Sequence, residues 1–240
     1  MENKRSFDTY ETTVEVAELL TPRNIHLRFR LPEGKEMNYK SGQFVQIFVP
    51  QEADKPLRRS YSIASAPKDP RWFELCVTLV DGGKGSSYLH SLKPGQKVQV
   101  MGPLGKFSYP EKITRDLVFI ATGSGIAPMR SMIDNLIDKN LDKSLYLLYG
   151  NRYDNDIIYK NEWESLEKEH DNFKICLTLS RPEKWQGPKG YVGDKIKEFI
   201  PDPINKDFYI CGLSDMINDV QSKLLDLGIP KDQIHFEKYD

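Results

Sequence analysis

The stretch Leu117-Val118-Phe119-Ile120-Ala121-Thr122-Gly123-Ser124-Gly125-Ile126-Ala127-Pro128 decides how the second half of this 240-residue chain folds. Leu117 to Ala121 is an unbroken apolar run of strand length, as expected of a strand buried on both faces. A Gly-rich turn follows, and then a helical pattern from Ala127 to Lys139. A turn of this kind, between a buried strand and a helix, is where a Rossmann-like domain holds a nucleotide pyrophosphate. Glycines admit the ligand and the helix N-terminus offers free N–H groups. Pro128 and Met129 depart from Gly-x-Gly-x-x-Gly, and a tight strand-to-helix turn without a ligand remains an alternative for the same residues.

Downstream the alternation continues. Ser144–Tyr149, Phe173–Leu179 and Asp207–Cys211 read as strands, and Lys160–Lys168, Asp194–Phe199 and Ser214–Leu227 as helices. Strands alternating with helices give a parallel sheet covered on both faces. Upstream the rhythm is different. Thr12–Leu20, Asn24–Leu31, Phe44–Val49, Ser60–Ala64, Trp72–Leu79 and Lys97–Met101 are short strand-like runs separated by Pro and Gly turns. Such runs suggest an antiparallel barrel, with one short helix from Ser86 to Leu92. The change falls near residues 108–114. The expected architecture is two domains: an N-terminal antiparallel β-barrel over 1–110 and a C-terminal α/β parallel sheet over 111–240.

Composition narrows the function classes. With 39% hydrophobic and 29% charged residues the chain can bury a core. No window approaches the ~20 apolar residues of a membrane span, and Met-Glu-Asn-Lys-Arg-Ser at the start has no apolar run after its charges, so a cytoplasmic location without a membrane span is expected. Cys76, Cys176 and Cys211 share no Cys-x-x-Cys spacing, which argues against zinc, an iron–sulfur cluster or a disulfide framework. Any electron transfer would then need a bound organic cofactor. Residues 1–110 carry 16 Lys and Arg against 12 Asp and Glu, and the rest carry 18 against 23. That imbalance is too mild for nucleic-acid binding, and compatible with an acidic protein docking on the first half.

Three further segments carry chemistry. In Arg58-Arg59-Ser60-Tyr61-Ser62, residues two apart in a strand share a face, so Arg59 and Tyr61 point together. A cation for phosphate, an aromatic plane and small hydroxyls suit a flavin, although a half-exposed strand with solvated arginines has the same residues. Asp81-Gly82-Gly83-Lys84-Gly85-Ser86-Ser87 puts glycines before a helix start, which favours anions, with Ser86 as either ligand or N-cap. Cys211-Gly212 closes a strand at the end of the sheet where ligands gather, or is buried packing.

Taken in order, these segments resemble the ferredoxin–NADP reductase superfamily over nearly the whole chain. The series is Arg59-Ser60-Tyr61-Ser62, Gly83-Lys84-Gly85-Ser86, Gly102-Pro103-Leu104-Gly105-Lys106-Phe107, Gly123-Ser124-Gly125-Ile126-Ala127-Pro128, Tyr149-Gly150-Asn151-Arg152 and Cys211-Gly212-Leu213-Ser214-Asp215-Met216. The resemblance implies that Arg59 contacts the phosphates of FAD, that Ser60 belongs to the same flavin strand, that Tyr61 lies against the isoalloxazine and that Ser62 sits near N5. Gly83, Gly85 and Ser86 would hold the pyrophosphate. Thr122, Gly123, Gly125 and Pro128 would form the phosphate turn for NADPH or NADH, and Cys211, with Gly212, would approach the nicotinamide C4. Glu237-Lys238-Tyr239 resembles the Glu-x-Tyr ending of plastid-type members, whose Tyr stacks on the flavin, but here Asp240 follows. Strand-end packing of Tyr239 is the alternative.

By the same resemblance, Ser180 and Arg181 stand where NADPH-preferring members hold the 2′-phosphate, and Lys189 and Tyr191 on the adenine side. Arg suits a phosphate geometrically, which favours NADPH, although similar stretches occur in NADH-using relatives. The Gly83–Ser86 segment favours FAD over FMN. The implied activity is hydride transfer from NAD(P)H to FAD N5, needing C4 and N5 within ~3–3.5 Å, followed by single-electron delivery to a separate ferredoxin or similar iron–sulfur carrier. Two readings compete: reduction of free flavins or other small molecules, and a flavin-binding electron-transfer or regulatory subunit without nicotinamide activity.

Overall fold

The computed structural model describes residues 7–51, 55–139 and 141–239. The chain forms two compact units, Met1–Ser108 and Tyr109–Asp240.

The first unit is an antiparallel, barrel-like sheet of β1 (Thr9–Thr21), β2 (Asn24–Arg30), β3 (Phe44–Val49), β4 (Leu57–Ser62), β5 (Trp72–Thr78) and β6 (Lys97–Leu104), in the order β4-β3-β6-β1-β2-β5. An isolated bridge between Ile63 and Leu75 joins the two edges. Alternation drives the fold: in β3, Val45, Ile47 and Val49 are buried while Phe44, Gln46 and Phe48 are half-buried. The inward set packs with Leu27, Phe29, Phe73, Leu75 and Val100, and Phe29 stacks on Phe73 at 5.2 Å between centroids. Each such side chain contributes ~1.5–3 kcal/mol on full burial.

Of the boundaries that differ from the sequence expectation, two matter to the site. Strand β4 begins at Leu57 rather than Ser60, because pairing with β3 runs from Val49↔Leu57 to Phe44↔Ser62 and recruits the polar Arg58 and Arg59. The helix α1 (Lys84–Ser91) begins at Lys84 rather than Ser86. Ser86 is therefore not its N-cap; Gly83 is.

The second unit is a parallel sheet with helices: β7 (Asp116–Thr122), α2 (Ile126–Asp138), β8 (Leu145–Asn151), α3 (Lys160–Glu169), β9 (Phe173–Leu179), α4 (Val192–Phe199), β10 (Lys206–Gly212), α5 (Ser214–Asp226) and β11 (Ile234–Lys238). The strand order is β11-β10-β7-β8-β9. The chain runs outward from β7 to β9 and then returns to the other side of β7 with β10. The switch point of this sheet thus lies at the carboxyl ends of β7 and β10, where open α/β sheets bind ligands. Strand β11 goes beyond the sequence expectation. Of its residues Ile-His-Phe-Glu-Lys only Ile234 is buried, and it is an edge strand paired in parallel with β10. At the opposite end of the sheet Lys206 is buried and its Nζ donates to Asp116 Oδ2 at 2.9 Å, while Asp116 Oδ1 accepts the Ser144 N–H. No helix among the described residues is long and apolar enough to cross a membrane.

Candidate functional site

In the first unit the expected flavin strand and the glycine turn come together. A Cβ built on Gly85 would stand 2.7 Å from the Tyr61 hydroxyl and 2.8 Å from Arg59 Cγ. Only glycine lets the N-terminal turn of α1 lie against that face of β4 without displacing those side chains. The first α-helical bond of this end runs from Ser87 N–H to Gly83 O at 2.9 Å, so the amides of Lys84, Gly85 and Ser86 precede it and are available to an anion. Arg59 is exposed beside them, its guanidinium folded back so that Nη1 donates to Arg58 O at 2.9 Å. Ser60 is exposed and Ser62 buried. Burial pushes the Tyr61 hydroxyl up to about 12, partly opposed by the Arg59 charge, so the ring is a neutral platform.

The structure turns one expected ligand inward. Ser86 is buried, and its Oγ accepts the Val80 N–H at 3.1 Å and lies 3.1 Å from Gly83 O as a donor. The hydroxyl thus braces the turn from Val80 to Gly83, and what Ser86 can offer an anion is its backbone amide. A side chain at Gly83 would collide with this brace, at 2.8 Å from Ser86 Oγ.

In the second unit β7 ends at Thr122, Gly123–Gly125 form a 3-10 turn, and α2 follows. Gly123 has φ +51° with open space where a side chain would be, and its carbonyl accepts the buried Tyr149 hydroxyl at 3.0 Å. Gly125 answers a different need: its Cβ would stand 2.3 Å from Cys211 O, so the turn presses directly on the end of β10. Pro128 lies in the first turn of α2, where no N–H is required; it stiffens the turn and donates nothing.

Cys211 is fully buried. Burial pushes its thiol well above the usual range, Glu237 adds to this, and hydrogen bonds with the Tyr239 side chain and the Gly212 backbone oppose it in part. It is a neutral thiol, unsuited to nucleophilic or thiolate chemistry. Parallel pairing sets Glu237 beside Cys211 and Lys238 beside Gly212, and Tyr239 N–H continues the ladder to Gly212 O at 3.0 Å. The Glu237–Tyr239 segment and Cys211 are therefore one local cluster. At Gly212 a Cβ would stand 2.5 Å from both Thr122 Oγ1 and Met216 Cε, which joins Thr122 to the same cluster.

A second corner forms beyond β8 and β9. Ser180 N–H donates to Asn151 O at 3.0 Å and Arg181 N–H to Arg152 O at 2.9 Å, so Arg152 and Arg181, both exposed, lie on joined backbones. The segment before α4 returns to this end, with Gly190 N–H donating to Leu179 O at 2.9 Å, and brings Lys189 and the exposed Tyr191 with it. Asn151 Nδ2 is buried and makes no hydrogen bond. A buried donor left open is costly, so it marks a place where a ligand acceptor or water is wanted. Sequence reasoning singled out neither Asn151 nor Arg152 as ligands. The signal was present in Tyr149-Gly150-Asn151-Arg152, but only the pairing of the two loops shows that Arg152 and Arg181 lie on adjoining backbone.

These geometries fit a flavin dinucleotide in the first unit and a nicotinamide nucleotide in the second. An oxidoreductase FAD-binding domain model matches residues 11–109, and an oxidoreductase NAD-binding domain model matches residues 119–222. The chain is 35% identical over 242 residues to Ferredoxin–NADP reductase B of Sorangium cellulosum, covering 97% of this chain and 98% of that protein. It is 30% identical to NADH-cytochrome b5 reductase 2 of Neurospora crassa, over 92% of this chain and 71% of that one. Among solved structures, the flavohem-like FAD/NAD binding domain of nitric oxide dioxygenase from Vibrio cholerae O1 biovar El Tor superposes with a TM-score of 0.88 at 25% identity, covering 98% of this chain and 99% of that chain. The chain belongs to the ferredoxin–NADP reductase superfamily and is an NAD(P)H-dependent flavin oxidoreductase that uses FAD.

Proposed function

We propose that this enzyme oxidises NADPH and delivers the electrons singly to a separate iron–sulfur protein of the ferredoxin type. The observation that carries the nucleotide choice is the joined pair Arg152 and Arg181, beside the open donor of Asn151. Two exposed arginines on adjoining backbone can both reach a dianionic 2′-phosphate, which NADH lacks. The acceptor reading is supported by the likeness to a ferredoxin–NADP reductase over 98% of that protein's length. The excess of Lys and Arg over residues 1–110 also favours an acidic partner.

The residues divide the work. Arg59 and the first amides of α1 would hold the FAD phosphates and Tyr61 would support the ring, with Ser60 and Ser62 on the same strand and Ser62 assigned to the flavin's reactive edge. When bound, FAD supplies two-electron uptake and one-electron release. Thr122, Gly123 and Gly125 shape the nucleotide phosphate turn, and Pro128 stiffens it. Lys189 and Tyr191 border the adenosine, with Ser180 beside Arg181. Cys211 and Gly212 form the floor against which the nicotinamide is aligned. Glu237 and Tyr239 flank that floor, and the Tyr239 side chain would have to give way to a nicotinamide placed there.

The relative named NADH-cytochrome b5 reductase favours a second reading, in which NADH is the donor and a haem protein the acceptor. Anaerobic stopped flow of the FAD-loaded protein with NADPH and with NADH, followed by addition of a [2Fe–2S] ferredoxin or of cytochrome b5, separates them. Faster bleaching by NADPH and reoxidation by ferredoxin support the first. Faster bleaching by NADH with reoxidation by cytochrome b5 replaces it with the second, and no bleaching by either nucleotide overturns both.

A further inference from the structure

Arg130 stands in α2, a turn and a half beyond Gly125, and its side chain is only 15% exposed. Its Nε donates to Glu162 Oε1 at 2.6 Å, Asp134 Oδ2 lies 3.9 Å from Nη2, and the guanidinium covers the Tyr159 ring at 4.6 Å. Glu162 lies in the first turn of α3, and Tyr159 is the N-cap of that helix. Tyr159 has φ +57°, a left-handed conformation unusual for a bulky residue, which persists only where neighbours impose it. Its ring also meets the buried Trp163 edge-on at 6.4 Å, and Trp163 Nε1 donates to Ile158 O at 3.0 Å.

The segment from Arg152 to Tyr159 is thus held at both ends. At one end the backbone of Arg152 accepts from Arg181; at the other, Tyr159 and Glu162 are gripped by Arg130. Arg130 in turn belongs to the helix that opens at the Gly123–Gly125 turn. One side chain therefore joins the helix of the pyrophosphate turn to the segment that begins with Arg152. The shape of the guanidinium is what the place requires: a flat cation that can stack on an aromatic ring while its edge bonds a carboxylate. A lysine ammonium is a point charge and cannot do both.

We propose that Arg130 is a positioning residue that sets Arg152 beside Arg181 in register with the phosphate turn, and so tunes discrimination for nucleotides that carry a 2′-phosphate. It acts through Tyr159 and Glu162. The proposal rests on the reading of Arg152 and Arg181 as 2′-phosphate ligands. Loss of the grip leaves the 5′-phosphate turn in place, because Gly125 remains packed on β10. A general loss of stability would weaken every nucleotide alike, whereas loss of register weakens the 2′-phosphate contact selectively.

The test is calorimetric titration of the FAD-loaded full chain with 2′,5′-ADP and with 5′-AMP, for wild type, Arg130→Lys and Glu162→Gln, with melting temperatures recorded in parallel. Glu162→Gln keeps the size of the partner and serves if Arg130→Lys does not fold. The expected result is that the affinity ratio of 2′,5′-ADP to 5′-AMP falls about tenfold in both variants, with 5′-AMP changed by less than about twofold. A wild-type ratio near one removes the 2′-phosphate reading and the inference with it. A large wild-type ratio that survives in the folded variants, or an equal weakening of both probes, overturns the inference alone.

Discussion

Gly125 lies directly against the carbonyl group of Cys211: a side-chain carbon at residue 125 would stand 2.3 Å from Cys211 O and 2.6 Å from Cys211 C. The obstacle is backbone, which cannot swing aside, so the Gly123–Gly125 turn and the end of β10 share one fixed contact. Gly125→Ala is expected to cost ~1–3 kcal/mol, the usual range for forcing a methyl into a filled space. It should also slow flavin reduction while leaving FAD bound. Urea melts and stopped-flow bleaching check this, and a variant with wild-type rates would show that the contact has no bearing on the nucleotide.

Gly85→Ala places the new methyl against side-chain rather than backbone atoms, the Tyr61 hydroxyl and the stem of Arg59. The fold should therefore survive, with FAD retention weakened on the order of tenfold as Arg59 and Tyr61 are displaced. Arg59→Ala should weaken retention in the same direction. Fluorescence of flavin released on dilution measures both, and retention unchanged in both would remove Arg59 from the flavin site.

Arg152→Ala and Arg181→Ala should each raise the KM for NADPH by about tenfold, the loss of one strong charge-assisted contact, and leave NADH kinetics close to wild type. Steady-state assays with both nucleotides decide it. Equal effects on NADPH and NADH would assign the two arginines to general nucleotide binding.

Because burial keeps Cys211 a neutral thiol, with Glu237 reinforcing it, native protein should resist iodoacetamide at pH 9 and label at residue 211 only after unfolding. Mass spectrometry of the labelled peptides reads this directly, and rapid native labelling would contradict the assigned protonation state. Cys211→Ala should slow hydride transfer through misalignment while leaving the flavin spectrum intact; an unchanged rate would exclude the thiol from the alignment role.

Asp116 has its carboxyl held below the ordinary 3.8: burial works against ionisation, and hydrogen bonds from Lys206 and the Ser144 amide outweigh it. A depressed folded pKa contributes stability that is present above 3.8 and disappears as pH falls through the folded value. Wild type should thus exceed Asp116→Asn in stability at neutral pH, with the difference shrinking in acid below that point. Denaturant melts across the acid range test it, and a pH-independent difference would assign the cost to packing.

Much of this was legible in sequence, and the reasons differ by segment. Leu117–Pro128 was readable because a strand buried on both faces is continuous in apolar residues and its turn needs glycine. The α/β alternation was readable for the same reason, with helix and strand ends displaced by a residue or two. The extension of β4 back to Leu57 was not, because Arg58 and Arg59 enter the strand through pairing with β3 rather than through their own preference. Ser86 looks like a cap or a ligand from its neighbours alone. Its actual partners, Val80 and Gly83, become visible only when the turn is closed. Strand β11 escaped because a short, half-exposed edge strand carries little apolar signal. Arg152 and Arg130 escaped for a common reason: each meets partners remote in sequence, Arg181 for one and Tyr159 with Glu162 for the other.

The ladder that joins Tyr239 N–H to Gly212 O gives residue 239 an address. That address is a row of the sheet, counted from Cys211 and Gly212 through their partners Glu237 and Lys238, and not a distance from the last residue of the chain. A residue written after Tyr239, as Asp240 is, therefore leaves the row of residue 239 unchanged. Relatives of differing length are then best compared at this edge by aligning the strand that carries Cys211 and reading across. An insertion of one residue between Ile229 and Ile234 would be absorbed in the connecting turn, whereas one within Ile234–Lys238 would shift which side chain arrives beside the thiol.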